Sequence, residues 1–230
     1  MLNQAELDAL AEFDTPTICN AIEAVAPERR GWGYTVEPFF VIDRGARPIV
    51  GYARTATIRS SQPSSRTPEA DSASRIDYYR HIDEGDEPTI TVIEDIDAHI
   101  GFGAWWGEVH SNVHKGLGSL GVVTNGSIRD LDDWAEYFQA LAGSVAPSHG
   151  WVHAVEHAIP VTVHGMRVAP GDLIHADVHG AVVIPHEHAR DIPSVVARLM
   201  NTEAILINAA RADGFSADVY EQLINTPRPR

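Results

Sequence analysis

Lysine is nearly missing from this chain: Lys115 is its single example in 230 residues. Imine-forming enzymes need a lysine made nucleophilic by desolvation or by a neighbouring cation. Lys115, on a polar stretch beside Gly116, shows neither signal. Cysteine is equally scarce. Cys19 alone permits no internal disulfide, which suits a reducing compartment, and its apolar neighbours read as core. Positive charge is short overall, with 17 Lys and Arg against 32 Asp and Glu and a formal net charge of −15. No basic cluster exists to neutralise phosphates, which argues against nucleic acid as a partner. No apolar run nears the roughly 20 residues of a membrane-spanning helix. The opening MLNQAELDALAEFD has neither the charged start nor the apolar centre of a signal peptide. Dinucleotide and phosphate-loop glycine fingerprints and the Gly-x-Ser-x-Gly elbow are also missing. With 44% apolar and 21% charged residues, the expectation is a cytoplasmic α/β protein with a full core and no membrane partner.

Patterning then divides the chain. Residues 4–12 and 16–25 read as helices, the second opened by Asp14-Thr15-Pro16. Strands are expected at Phe39–Ile42, over residues 49–60 and at Thr89–Glu94. A polar loop over 61–70 precedes a helix over Ser72–Ile82. The richest stretch is Gly101 to Trp134. Gly101, Gly103 and Gly107 loosen the backbone ahead of a helix from Glu108 to Gly116 or Gly118. The apolar run Leu120–Val123 reads as a buried strand, and Asn125-Gly126 as a turn. A helix is then expected from Asp130 to about Leu141, with Leu131, Trp134, Ala135 and Phe138 on one face. A strand follows at 144–146. SHGWVHAVEH, residues 148–157, reads as a polar loop or short helix. Short strands turning at Gly165, Gly171 and Gly180 fill 159–185, and helices cover 188–212 and 215–225. With no repeat or linker, residues 1–230 are expected to form a single domain, with its core at about 15–205 and C-terminal helices at 188–225.

A strand that delivers Arg129 and Asp130 to one helix start, beside another helix start at Glu108, suits an anion and a metal. Guanidinium forks onto carboxylates, a lone carboxylate can hold Mg²⁺ together with waters, and helix N-termini attract anions. Each residue also has a structural explanation. Asp130 could cap its own helix, Arg129 could sit in a surface pair, and Glu108 could answer the helix dipole. His110 and His114 have metal-ligand spacing but lack the intervening glutamate of a zincin and a third ligand. His149, His153 and His157 form a second group, and His175, Asp177 and His179 a third. Asp177 is best explained as bonding turn amides before Gly180.

The spaced set resembles the RraA-like family, which includes the class II 4-hydroxy-4-methyl-2-oxoglutarate aldolases. The matching residues are Gly107-Glu108-Val109, Gly118, Gly121-Val122-Val123 and Asn125-Gly126-Ser127-Ile128-Arg129-Asp130. Thr15 to Ala21, the Gly-x-Ala-x-Thr strand at 51–55 and PGDLIHADVHGAVVIP at 170–185 are similar too, so that the resemblance covers most of residues 15–205. It implies a swivelling α/β/β sandwich with extra N- and C-terminal helices, assembled as a homotrimer or homohexamer.

The resemblance also implies chemistry: a metal-dependent lyase, using Mg²⁺ or Mn²⁺, that cleaves a 4-hydroxy-2-oxo acid to pyruvate and can decarboxylate oxaloacetate. Arg129 would grip the substrate carboxylate and act in catalysis with Glu108, while Asp130 would bind the metal directly. Glu108 would also hold the metal through water, and Gly107, Glu108, Val109, His110 and Arg129 would contact the 2-oxo acid. Glu203 falls where some aldolases present a glutamate to a neighbouring subunit's metal. Asn125 stands where many relatives carry Asp, and the histidines at 110 and 114 depart from the family pattern. Two alternatives accompany this reading. One is a non-catalytic regulator of the ribonuclease-inhibitor type, and the other a different metal-dependent oxo-acid reaction.

Overall fold

A computed structural model describes residues 1–226. Each early helix is begun by a residue able to accept a bond from the orphan amides of its first turn. Asn3 and Glu6 form a capping box on α1 (Gln4–Leu10), and Asp14 caps α2 (Thr15–Val25). Thr67 caps α3 (Pro68–Ile82), which begins four residues before the expected Ser72. The remaining helices are α4 (Glu108–Gly116), α5 (Ile192–Arg211) and α6 (Ala217–Asn225). None of the described helices is long and apolar enough to cross a membrane.

The strands are β1 (Phe40–Val41), β2 (Ile49–Arg59), β3 (Thr89–Asp95), β4 (Ser119–Ile128) and β5 (Gln139–Val145), then β6 (His153–His157), β7 (Val161–Val163), β8 (Met166–Val168), β9 (Leu173–Asp177) and β10 (Gly180–Ile184). One sheet runs β1-β5-β4-β3-β2-β9-β10, and β6 pairs with the far half of β2. Strands β2 to β5 are parallel, joined through α3 and α4 as crossovers, whereas β9, β10, β1 and β6 run antiparallel to their neighbours.

Alternation along the strands fixes the layers. Val122 and Ile93 turn to a core built with Tyr78, Ile82, Trp105 and Trp106, while their neighbours Val123 and Val92 pack with Val161, Val163, Met166 and Val168 of the β7–β8 hairpin. The helical face is completed by Leu7, Leu10, Ile18, Ile22, Ile192 and Val196 against Val50, Tyr52 and Leu173. Helices, sheet and hairpin thus form the expected α/β/β sandwich.

Three local expectations are corrected. Asn125-Gly126 is no turn but lies inside β4, at a register shift between Thr124 and Ser127. The Asn125 side chain exchanges two bonds with the Asp95 backbone, accepting at 2.7 Å and donating at 3.0 Å, and so joins the strands in place of ladder bonds. The helix expected from Asp130 to Leu141 is a single 3₁₀ turn, Leu131–Asp133, followed by β5, whose first residues absorb the end of that segment. Tyr137 there has φ 62°, outside any right-handed helix. Finally, residues 153–157 are a strand and not a loop or short helix, because they complete the edge of β2.

Candidate functional site

The site forms at the C-terminal ends of the parallel strands, where open α/β sheets generally bind ligands. The loop after β3 returns along β4: Trp106 bridges Ile128 in parallel, and the Arg129 amide donates to the Trp106 carbonyl at 2.9 Å. That pairing sets Gly107 and the start of α4 against Arg129 and Asp130. Gly107, the N-cap of α4, offers no side chain to its amides. Asp130 supplies the acceptor instead, its Oδ2 taking the Glu108 N–H at 3.3 Å. The approach is close: a Cβ on residue 107 would stand 2.5 Å from Asp130 Oδ2, so any larger residue there would push the carboxylate aside.

Asp130 has φ 55° and ψ 48°, a left-handed conformation that aspartate tolerates better than most residues. It makes no side-chain bond to its own 3₁₀ turn, so the simple capping explanation fails. Its carboxylate also meets Arg129 Nη1 at 3.4 Å, and the two side chains are 31% and 37% exposed. Both contacts are long, and both carboxylate oxygens keep lone pairs for another partner. Glu108 is exposed on the first turn of α4, and Val109 beside it is 67% exposed. Ser111 ties the far side together, donating to the Glu108 carbonyl and accepting from the Ala135 amide.

The two α4 histidines separate in role. His114 is fully buried, with Nδ1 facing the His110 carbonyl at 2.7 Å. That nitrogen must carry the proton, so Nε2 accepts from the Tyr78 hydroxyl at 2.6 Å. Burial holds its pKa down to about 3 and pushes that of Tyr78 well up. With both nitrogens engaged, His114 is a packing residue and cannot pair with His110 on a metal. His110 is partly buried, edge-on to Trp105 at 4.5 Å, with its pKa lowered to about 4 by burial first and then by Arg129 and Arg75. Its Nδ1 is buried without a partner.

The other predicted residues stand apart. His149 and His153 bond the Gly150 and Trp151 carbonyls, and His157 stacks on His81 at 5.5 Å. Asp177 accepts from the Thr15 and His179 amides, the structural role expected of it, and His175 bonds Thr15 and Phe13. Cys19 is half-buried, its thiol pushed up to about 11 by burial. Glu203 is exposed on α5, a helix that packs on α2 and α1. Sequence reasoning missed Tyr78, Trp105, Trp106 and Arg75, which wall the histidine side of the site; the paired Tyr78-Tyr79 and Trp105-Trp106 were its available signal.

Among the described residues no group of three or more His, Cys, Asp or Glu could hold a metal. The donor set still fits one kind of cation. Mg²⁺ and Mn²⁺ favour hard oxygens, and Mg²⁺ is commonly bound by one or two carboxylates plus water and substrate. Asp130, with Glu108 nearby, offers that.

Comparison with known proteins adds the following. The family model described as RraA-like, Aldolase/RraA, matches residues 15–183. A Burkholderia mallei protein provisionally named 4-hydroxy-4-methyl-2-oxoglutarate aldolase is 42% identical over 69 residues, which are 29% of this chain and 41% of that protein. The chain spans less than half the length of the curated relatives it matches first. Among solved structures, an uncharacterized protein from Pseudomonas syringae pv. tomato has a TM-score of 0.72 at 21% identity, over 98% of this chain and 95% of that one. Streptomyces coelicolor RraAS2, described as an unusual member of the RNase ES inhibitor RraA protein family, has a TM-score of 0.68 at 20% identity, over 89% and 96%.

Proposed function

The chain belongs to the RraA-like family, and from that premise we propose that it is a divalent-metal-dependent lyase cleaving a 4-hydroxy-2-oxo acid to pyruvate. The observation that carries the reading is Asp130: its carboxylate turns from its own 3₁₀ turn onto the start of α4, beside Arg129. Asp130, with Glu108 acting through water, would hold Mg²⁺ or Mn²⁺. Bound there, the cation would supply positive charge next to the C2 ketone oxygen as the C3–C4 bond breaks.

The chain's own groups do the rest. The Arg129 guanidinium forks onto the C1 carboxylate and fixes the 2-oxo acid. The amides of residues 107–110, at the positive end of α4, receive the pyruvyl oxygens, with Val109 and His110 against the substrate. Glu108 accepts the C4 hydroxyl proton. The O–H electrons form the new C4 carbonyl, the C3–C4 pair moves toward the C2 ketone, and protonation at C3 releases pyruvate. Oxaloacetate decarboxylation would use the same electron sink with CO₂ leaving.

Exposed Ile100, Phe102 and Trp151 on the loops around the site support assembly as a homotrimer or homohexamer. Such an assembly could bring Glu203 of a neighbouring copy to the site. The net charge and the single cysteine support a cytoplasmic setting.

The test is pyruvate release from 4-hydroxy-4-methyl-2-oxoglutarate and decarboxylation of oxaloacetate, each with Mg²⁺, Mn²⁺ or EDTA. Asp130→Asn keeps an acceptor for the Glu108 amide while removing the charge. It should lose metal-dependent turnover by more than about a hundredfold with an unchanged circular dichroism spectrum. Full activity in that variant, or in EDTA, would refute the site. Inactivity of the wild type with every metal would favour the ribonuclease-inhibitor type of regulator, for which RraAS2 is the structural precedent.

A further inference from the structure

The segment that carries Asp130 has little secondary structure of its own. After β4 it forms one 3₁₀ turn, Leu131–Asp133, and then runs irregularly to β5, with Asp130 and Tyr137 both in left-handed conformations. Its place beside α4 therefore depends on tertiary bonds. Among the described residues three hydrogen bonds join it to that helix. Asp130 Oδ2 accepts from the Glu108 amide at 3.3 Å, Ser111 Oγ accepts from the Ala135 amide at 3.1 Å, and Lys115 Nζ donates to the Glu136 carbonyl at 2.6 Å. Residues 108, 111 and 115 are spaced three and four apart, so they lie along one face of α4.

The three bonds are unequal. The first is long, and the third comes from a solvent-exposed lysine. Ser111 is fully buried, and its hydroxyl works in both directions: it donates to the Glu108 carbonyl at 2.9 Å while accepting from Ala135. One oxygen thus connects the first turn of α4, where Glu108 stands, to the chain shortly beyond Asp130. A buried amide left without an acceptor is costly, so the Ala135 N–H resists any shift of the segment away from α4.

We propose that Ser111 is a positioning residue: its hydroxyl fixes the Asp130 segment against the start of α4 and so sets the cation affinity of the site. The proposal rests on the reading of Asp130 as the metal carboxylate, and Ser111 acts through Asp130 and Glu108.

Calorimetric titration with Mn²⁺, together with amide hydrogen exchange followed by NMR, separates placement from stability. Ser111→Ala should speed exchange of the Ala135 amide and weaken Mn²⁺ binding, each by about tenfold. At saturating Mn²⁺ it should lower kcat more than it raises KM for 4-hydroxy-4-methyl-2-oxoglutarate. Ser111→Thr keeps a hydroxyl that a helical threonine readily aims at the carbonyl three or four residues back, and should restore most of both losses. Gln139→Ala, which removes buried hydrogen bonds at the other end of the strands, should leave Mn²⁺ affinity unchanged. If Ser111→Ala does not fold, Ser111→Cys carries the same test with a smaller loss, because a thiol of nearly the same size bonds more weakly. Wild-type Mn²⁺ affinity in these variants with faster Ala135 exchange would make the bond merely structural and overturn the proposal, as would unaltered Ala135 exchange. Loss of Mn²⁺ binding in Asp130→Asn with none in Ser111→Ala would overturn the role of Ser111 alone. Absence of Mn²⁺ binding by the wild type, or equal binding by Asp130→Asn, would remove the Asp130 reading with it.

Discussion

The two ends of the parallel strands contrast in volume and in chemistry. At their N-terminal ends lies a cavity of about 790 Å³, floored by Leu7, Ile42, Ile49, Leu120 and Phe138. Its polar groups are already spoken for: Gln139 bonds the Asp43 and Ala140 backbone, and Arg47 bonds the Ala11 and Asp8 carbonyls and Glu12. At the C-terminal ends the space is far smaller, but its groups are underused. Asp130 and Arg129 share one long contact, the first turn of α4 has no cap from its own N-cap residue and only the long bond from Asp130, and His110 keeps a buried nitrogen without a partner.

The contrast can be broken most sharply at Gly107. Gly107→Ala drives a methyl into Asp130 Oδ2, and kcat/KM should fall by roughly a hundredfold as the carboxylate is displaced. Gly116→Ala, on the same helix with no atom within 4 Å, should keep full turnover and melt at the same temperature or higher. Equal behaviour of the two variants would mean that the approach at Gly107 is unimportant.

Next in size is Arg129→Lys. An ammonium cannot reproduce the bidentate fork, so KM should rise and kcat fall, for a combined loss of about tenfold or more in kcat/KM. Wild-type kinetics would reduce Arg129 to a surface residue.

A third test sharpens the buried side of the site. His114 and His110 have folded pKa values of about 3 and 4, below the 6.5 of an unfolded histidine. Between those values the unfolded chain binds more protons than the native one, so stability should fall as pH drops from 6.5 toward 3. His114→Leu leaves the Tyr78 hydroxyl unpaired, costing about 1–3 kcal/mol at pH 8, but should flatten the acid limb of a plot of Tm against pH. An unchanged slope would mean that His114 is not buried neutral.

The smallest effect is expected at the opposite end. Gln139→Ala removes the bonds to Asp43 and should cost about 1 kcal/mol in urea unfolding while leaving turnover intact. A large loss of turnover would overturn the ranking of the two ends.

Legibility in the sequence tracked how local the determinants are. The α2 start was readable because Asp14 and Pro16 are both on the page, and α4 was readable because Gly107 and Gly116 bracket it. Asn125-Gly126 misled because its partner, Asp95, lies 30 residues away on the next strand. The spacing of Leu131, Trp134, Ala135 and Phe138 suits a helix, yet Ala135 and Phe138 reach the core from an irregular segment ahead of β5. Residues 153–157 become a strand only because β2 offers them an edge. At the site, Arg129, Asp130 and Glu108 were visible as a spaced set. Arg75 was not, since a polar helix such as α3 does not announce which of its charges lacks a partner.

The pairing of β2 has a consequence for how the chain acquires its shape. Residues 49–52 of β2 pair with 173–176 of β9, and residues 56–59 with β6, so its second edge waits for chain made roughly a hundred residues later or more. Contacts of such high sequence separation slow folding, because loop closure precedes the reward of pairing. By contrast, β3, α4 and β4 are consecutive, and they carry Gly107, Glu108, Arg129 and Asp130. On a ribosome, the candidate site's Gly107, Glu108, Arg129 and Asp130 are therefore all made while one flank of the sheet is still open, and the emerging chain carries an unpaired edge until β6 and β9 close it.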